Sequence, residues 1–282
     1  MIKFYEEMFL DIEASDSLVS DLKKYGNKKH LSAIHGGRFA LPNTSDEFKY
    51  LLSKSRPWRE IYHKLSSTEF LSTCMEHLDL PSVKAELNPY FSQRTIPQKL
   101  QRLEALKSKK IQETNLSGLC AYLVYSLWKR LCFYQFRLRH VFSQKIQLDI
   151  LFDVSRAENG YSREIHRDSD SRYVVFLLYL NDLPEKGEGG ELNLFEYTGE
   201  RKNELGPQPD PDNCKVIRKI KPTKGKLVIF KNDHEAFHSV SKMAGFDEER
   251  IFCYGSFTVL SGSNPNFNKS TIKFKTPWQM YI

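Results

Sequence analysis

Cysteine is scarce in this chain, and no two cysteines stand close together. Cys74, Cys120, Cys132, Cys214 and Cys253 are five in 282 residues, an odd number with no C-x-x-C pair. Such a pattern supports neither a disulfide framework nor a thiolate zinc site, and a reducing cytoplasm is the expected location. A secretory start is missing too, since Glu6, Glu7, Asp11 and Glu13 occupy the stretch where a signal peptide has a basic end and then an apolar run. Long apolar runs are also lacking. The most apolar segment, 116–136, is broken by Lys129 and Arg130 and falls short of the roughly 18 consecutive apolar residues of a membrane span. It is expected to be a buried helix, and no membrane partner is expected. No internal repeat is visible.

What the chain does contain is ordinary globular material. Hydrophobic residues make up 40%, charged residues 27% and aromatics 13%, which suits one large or two small domains with a real core. Net charge is +7, and it is unevenly placed. Residues 1–140 hold 22 Lys+Arg against 15 Asp+Glu, whereas 141–282 hold 20 against 20. Ten of the basic residues fall between Arg94 and Arg139, opposed only by Glu104 and Glu113. That run makes either a solvated helix face or a positive field for an acidic partner.

Periodicity also divides the chain. Leu100, Leu103 and Leu106, and again Leu116, Leu119, Leu123, Leu127 and Leu131, recur at helical spacing. Shorter helices are expected over 17–24, 46–54 and 58–65, with Ser45 as an N-cap and Pro57 in a first turn. A further helix should end near His77, and 80–97, with three prolines, reads as a connector. Beyond about residue 145 the pattern turns to short β-rich runs at 146–154, 173–180, 191–197, 215–221, 226–231 and 251–259, separated by Gly, Asn and Pro turns. Serial short strands predict a sandwich, jelly roll or barrel. The polar stretch 199–213 reads as an excursion between strands.

The chemistry-bearing residues lie in this second half. Two imidazoles and one carboxylate on one octahedral face make a non-haem Fe(II) site with open positions. His166-Arg167-Asp168 can supply two of the three, because residues i and i+2 of an extended segment point the same way. His-x-Asp alone is a weak signal, expected about 0.4 times by chance here, and His77-Leu78-Asp79 is a second occurrence. At a helix end, i and i+2 share no face, so His77 and Asp79 are the chance match. His166, by contrast, precedes an apolar strand, and a second histidine, His238, follows the strand 225–231. Facing sheets could bring it alongside. His234, four residues earlier, rivals it only if that segment is helical.

Together, His166-x-Asp168, Tyr179-Leu-Asn181, Gly189-Gly190-x-Leu192, Gly225-x-Leu227, His238-Ser-Val240 and Arg250 twelve residues later resemble the 2-oxoglutarate and Fe(II)-dependent oxygenase superfamily, in particular its prolyl-4-hydroxylase-like branch. The resemblance covers about residues 146–260. It implies an α+β chain in which a double-stranded β-helix, or jelly roll, over 141–262 follows a helical N-terminal region over 1–140 and precedes a tail over 263–282. It implies that His166, Asp168 and His238 hold Fe(II), and that Arg250, with a hydroxyl contact from Tyr179, holds the distal carboxylate of 2-oxoglutarate. O2 is then the oxidant and ascorbate an optional reductant. Some relatives place a serine two residues after the arginine, where this chain has Phe252.

The function so implied is a dioxygenase that hydroxylates an unactivated C–H of a protein side chain or small metabolite while 2-oxoglutarate is decarboxylated to succinate. An acidic residue at 168 favours hydroxylation over halogenation; desaturation and cyclisation use the same triad. Two alternatives compete. A nucleic-acid demethylase would carry a second arginine six residues beyond the first, where Ser256 stands, so nucleic acid is not favoured as a partner. A metal-binding β-fold scaffold without turnover is the other. Oligomeric state and substrate identity are not legible.

Overall fold

A computed structural model of the chain describes residues 2–26, 32–33, 37–80, 85–87, 146–199, 206–267 and 271–272. The leucine-spaced helices expected over 100–106 and 116–131, the basic run from Arg94 to Arg139, part of the 199–213 excursion and most of the tail lie outside the described residues.

Along the chain come β1 (Phe4–Met8), α1 (Ile12–Tyr25), β2 (Ser32–Ala33), β3 (Arg38–Pro42), α2 (Asp46–Lys54), α3 (Arg56–Leu65), α4 (Thr68–His77) and β4 (Ala85–Leu87). The second half gives β5 (Ile146–Ala157), β6 (Arg163–His166), β7 (Arg172–Tyr179), β8 (Leu192–Tyr197), β9 (Cys214–Ile220), β10 (Lys226–Lys231), β11 (His238–Val240), β12 (Arg250–Ser263) and β13 (Thr271–Ile272). Each helix starts on an oxygen that accepts from an otherwise orphaned backbone N–H: Asp11 from Ala14, Ser45 from Phe48, Ser55 from Trp58 and Ser67 from Phe70. Ser45 and Pro57 occupy the expected cap and first-turn positions.

The strands form two sheets. The larger runs β1-β10-β7-β12-β5-β3-β2, with β4 and β13 attached to β5 and β12; the smaller runs β6-β11-β8-β9. Every pairing is antiparallel except β4 with β5. Among the described residues before 81, α1 to α4 are helical as expected, and this stretch also contributes β1 and β3 to the larger sheet, which the sequence reading did not give. β4 lies within the expected connector.

Strand alternation splits the core in two. Val174, Phe176 and Leu178 of β7, with Ile251 and Cys253 of β12 and Leu148, Ile150, Phe152 and Val154 of β5, pack against Leu18, Leu22, Phe48, Leu51 and Trp58 of the helices. The other face of the same strands, through Val175, Leu177, Tyr179 and Phe252, meets Leu192, Leu194, Ile220 and Val240 of the smaller sheet. Helices, large sheet and small sheet are thus three layers with a core at each junction. Tyr173 leaves the expected alternation and joins the helix-side core, beside an irregularity where β12 shifts against β7.

Close packing makes one glycine indispensable in β12. A Cβ at Gly255 would lie 2.1 Å from the Phe176 ring, which fills the helix-side core opposite it. In the turn before β8, Gly189 has φ +86° and approaches the Lys242 carbonyl so closely that a Cβ would sit 1.9 Å from its oxygen.

Candidate active site

The two histidines of the triad are hydrogen-bonded into one ladder. His166 ends β6 and His238 begins β11, and the two are direct cross-strand partners. Their rings lie 4.3 Å apart between centroids. Each imidazole donates Nδ1–H to a carbonyl two residues earlier, His166 to Glu164 at 2.8 Å and His238 to Ala236 at 3.0 Å. That fixes both rings as Nδ1–H tautomers and leaves both Nε2 lone pairs free for a metal. Asp168 follows β6 by two residues, with Oδ2 3.9 Å from His238 Nε2. The three donor atoms lie within 4.8 Å of one another, and no other such group of His, Cys, Asp or Glu occurs among the described residues.

Asp168 is held from both sides. Arg172 donates to Oδ1 at 2.7 Å and the Tyr254 hydroxyl to Oδ2 at 2.9 Å. Burial raises the pKa of this carboxyl, but the Arg172 guanidinium and the two imidazoles outweigh burial and hold it below its ordinary value. His166 is pushed down to about 4, first by burial and then by repulsion from His238. A neutral imidazole and an ionised carboxylate are the protonation states a divalent cation requires.

Arg250 opens β12 and is fully buried. Its Nη2 donates to the Tyr179 hydroxyl at 3.2 Å, and its guanidinium lies between two rings, 5.0 Å from the centroid of Tyr179 and 4.7 Å from that of Phe252. Nε and Nη1 have no partner among the described residues. A buried guanidinium with two idle donors is costly unless an anion completes it. Phe252, at the position where some relatives have serine, therefore supports Arg250 by stacking. Burial raises the Tyr179 pKa, against the lowering pull of Arg250, so the hydroxyl stays protonated.

His166, Asp168, His238 and Arg250 all line one cavity of about 220 Å³ that opens to solvent between the two sheets. Tyr179 reaches it only through Arg250. The cavity also takes in Arg38, Asp153, Arg163 and Arg172, which the sequence reading did not place at the site, and Tyr254, which strand alternation puts on the cavity face with Arg250. Arg172 and Tyr254 had a signal, as a charge four residues after Asp168 and as a β12 residue on the face of Arg250. Arg38 had none, because it arrives from β3 by pairing with β5, where it donates to Asp153 and Ser155, each at 2.8 Å.

The remaining candidates separate as geometry requires. Arg167 turns away from the metal ligands to pair with Asp170, and its guanidinium lies 4.9 Å from the centroid of the Phe267 ring. His234 packs edge-on against Phe267 and is not in the triad. His77, the last residue of α4, stacks on Tyr5, and Asp79 pairs with Lys3 at 3.2 Å. Ser256 is buried against Thr258.

Residues 152–257 match the family model of the 2OG-Fe(II) oxygenase superfamily. This stretch is similar to 2-oxoglutarate- and Fe(II)-dependent oxygenase domains, oxidoreductases that use Fe(II) and 2-oxoglutarate, and it contains the His166, Asp168 and His238 donor set. No curated protein matches the sequence. Among solved structures, a non-haem alpha-ketoglutarate-dependent carbocyclase from nogalamycin biosynthesis is 8% identical with a TM-score of 0.52, over 94% of this chain and 83% of that one, a likeness of fold. A prolyl-4-hydroxylase from Pseudomonas putida is 15% identical with a TM-score of 0.43, over 92% and 94%. A prolyl hydroxylase from Trichoplax adhaerens, in complex with a hypoxia inducible factor peptide fragment, is 15% identical with a TM-score of 0.43, over 91% and 84%. Among the described residues no helix is long and apolar enough to cross a membrane.

Proposed function

We propose that the chain hydroxylates an unactivated C–H bond of a protein side chain or small metabolite, using Fe(II) held by His166, Asp168 and His238 and 2-oxoglutarate held by Arg250. Bound together, the metal and co-substrate supply oxidative decarboxylation to succinate coupled to hydroxylation. The observation that carries this reading is the meeting, in one cavity, of a two-histidine, one-carboxylate donor set and a buried guanidinium with two idle N–H donors. The donor set suits iron with open positions, and the planar guanidinium fork suits a carboxylate.

Each side chain then has a positional task. Glu164 and Ala236 carbonyls orient the two imidazoles, and Arg172 and Tyr254 orient Asp168. Tyr179 and Phe252 hold the Arg250 guanidinium between their rings, and the Tyr179 hydroxyl, which accepts from Arg250, would support its grip on the co-substrate carboxylate. The two sheets act as the halves of a jelly roll with the cavity between them. The 206–213 segment, anchored where Pro207 accepts from the Arg167 backbone at 2.7 Å, borders the metal ligands and is suited to screen substrates. A cytoplasmic location agrees with the free thiols of Cys74, Cys214 and Cys253.

The test is anaerobic addition of Fe(II) and 2-oxoglutarate, which should produce a weak visible charge-transfer band. His166→Ala and His238→Ala should lose iron retention and succinate formation together, and Arg250→Ala should chiefly raise the apparent KM for 2-oxoglutarate. Unchanged kinetics in all three variants would sink the assignment.

A further inference from the structure

Arg163 has no task in the scheme above, yet it lines the same cavity as the triad. Simple alternation would turn residues 163 and 166 to opposite faces of β6. The pairing shows why it does not: His166 and Arg163, three residues apart, face His238 and Val240, two residues apart. This bulge inserts one residue into β6 and swings Arg163 onto the face that carries the iron ligands, the kind of re-aiming for which bulges occur beside active sites.

Charge pairing among the cavity residues leaves positive charge over. Four guanidiniums, Arg38, Arg163, Arg172 and Arg250, face two carboxylates, Asp153 and Asp168. Both carboxylates are already taken, by Arg38 and Arg172 at 2.8 and 2.7 Å. Arg250 accounts for one external anion, the co-substrate, in the reading proposed above, on which this inference rests. The Arg163 side chain is half-buried and has no hydrogen bond or ion pair among the described residues. We infer that the primary substrate is itself an oxyanion, whose carboxylate or phosphate docks on Arg163 beside the metal triad. A guanidinium fork binds either group in two-point fashion. Holding the substrate at such a fixed point restricts which of its carbons comes near the metal.

The test uses the full chain loaded anaerobically with Fe(II) and 2-oxoglutarate, whose charge-transfer band reports the co-substrate separately from any second ligand. L-aspartate with L-asparagine, L-glutamate with L-glutamine, and O-phosphoserine with serine are titrated as pairs, followed by calorimetry and by perturbation of the band. The acidic member of at least one pair should bind roughly tenfold or more tightly than its neutral counterpart, about the worth of one charge-assisted hydrogen bond. That preference should vanish in Arg163→Gln and persist in part in Arg163→Lys. Which pair responds separates carboxylate from phosphate. Equal binding within all three pairs, or a preference that survives Arg163→Gln, overturns the inference. Loss of the band in Arg163→Gln overturns it as well, because Arg163 would then serve the co-substrate. Failure of the wild-type chain to give a band overturns the iron and 2-oxoglutarate reading and this inference with it, whereas a band without acid preference overturns only the inference.

Discussion

Tyr254 shows how much of the metal centre depends on side chains that would never touch the metal. Its ring is flanked by two guanidiniums, Arg172 at 5.0 Å and Arg38 at 5.3 Å, and its hydroxyl donates to the Asp168 oxygen nearest His238. Tyr254→Phe keeps the stacking and removes the hydrogen bond. Iron titration should then show an affinity lower by about 10- to 100-fold, the usual cost of losing a partner of a ligating carboxylate. His166 gives a second prediction, in the metal-free protein. Burial and His238 keep its folded pKa near 4, against 6.5 for the free side chain. Between those values the unfolded chain binds a proton that the folded chain does not, so stability is full above pH 6.5 and is lost as pH falls toward 4. Thermal melts across that range should show the decline, and His166→Gln should flatten it. His166 and Asp168 could be read as a pair from i, i+2 spacing and His238 as a histidine following a strand, whereas Arg250 was named only through the family resemblance. Arg38 was not legible, since its place depends on which strand β3 pairs with, and Arg163 was not, since its direction depends on a bulge.

At the level of elements, the β-rich runs were legible because turn residues punctuate them and their apolar residues follow burial. β10 has the expected bounds, β7 and β9 each lie one residue earlier than expected at both ends, and β8 starts one residue later. The strands missed were short or mixed in character. β6 and β11 have four and three residues, too few to show a period, and β1 and β3 sit among helical segments. Sheet pairing also sets the demands on Gly255, where β12 passes the Phe176 ring. Gly255→Ala forces that ring or the strand to move, and urea unfolding should show about 1–3 kcal/mol of lost stability, in the usual range for overpacking. Iron affinity should fall less than in Tyr254→Phe, because the clash is on the helix side of the sheet.

For the whole molecule, the layer of helices backs the sheet whose other face carries Arg250. Trp58 anchors that layer: it is fully buried and donates from Nε1 to the Leu18 carbonyl at 2.9 Å. Trp58→Ala removes a large core side chain and its hydrogen bond to a helix carbonyl, so chemical denaturation should report a loss of about 3–5 kcal/mol. Periodicity does not carry the joining of the helical and β regions, because the pairing of β1 with β10 and of β3 with β5 is long-range. One consequence follows from the ladder that joins His166 to His238. Because both ligands hang from a single rung, a chain that mispairs β6 and β11 by one step turns one imidazole outward and cannot grip an ion. With iron held as proposed, capture of the metal would favour the correctly paired small sheet, and refolding with Fe(II) present should raise the yield of folded chain.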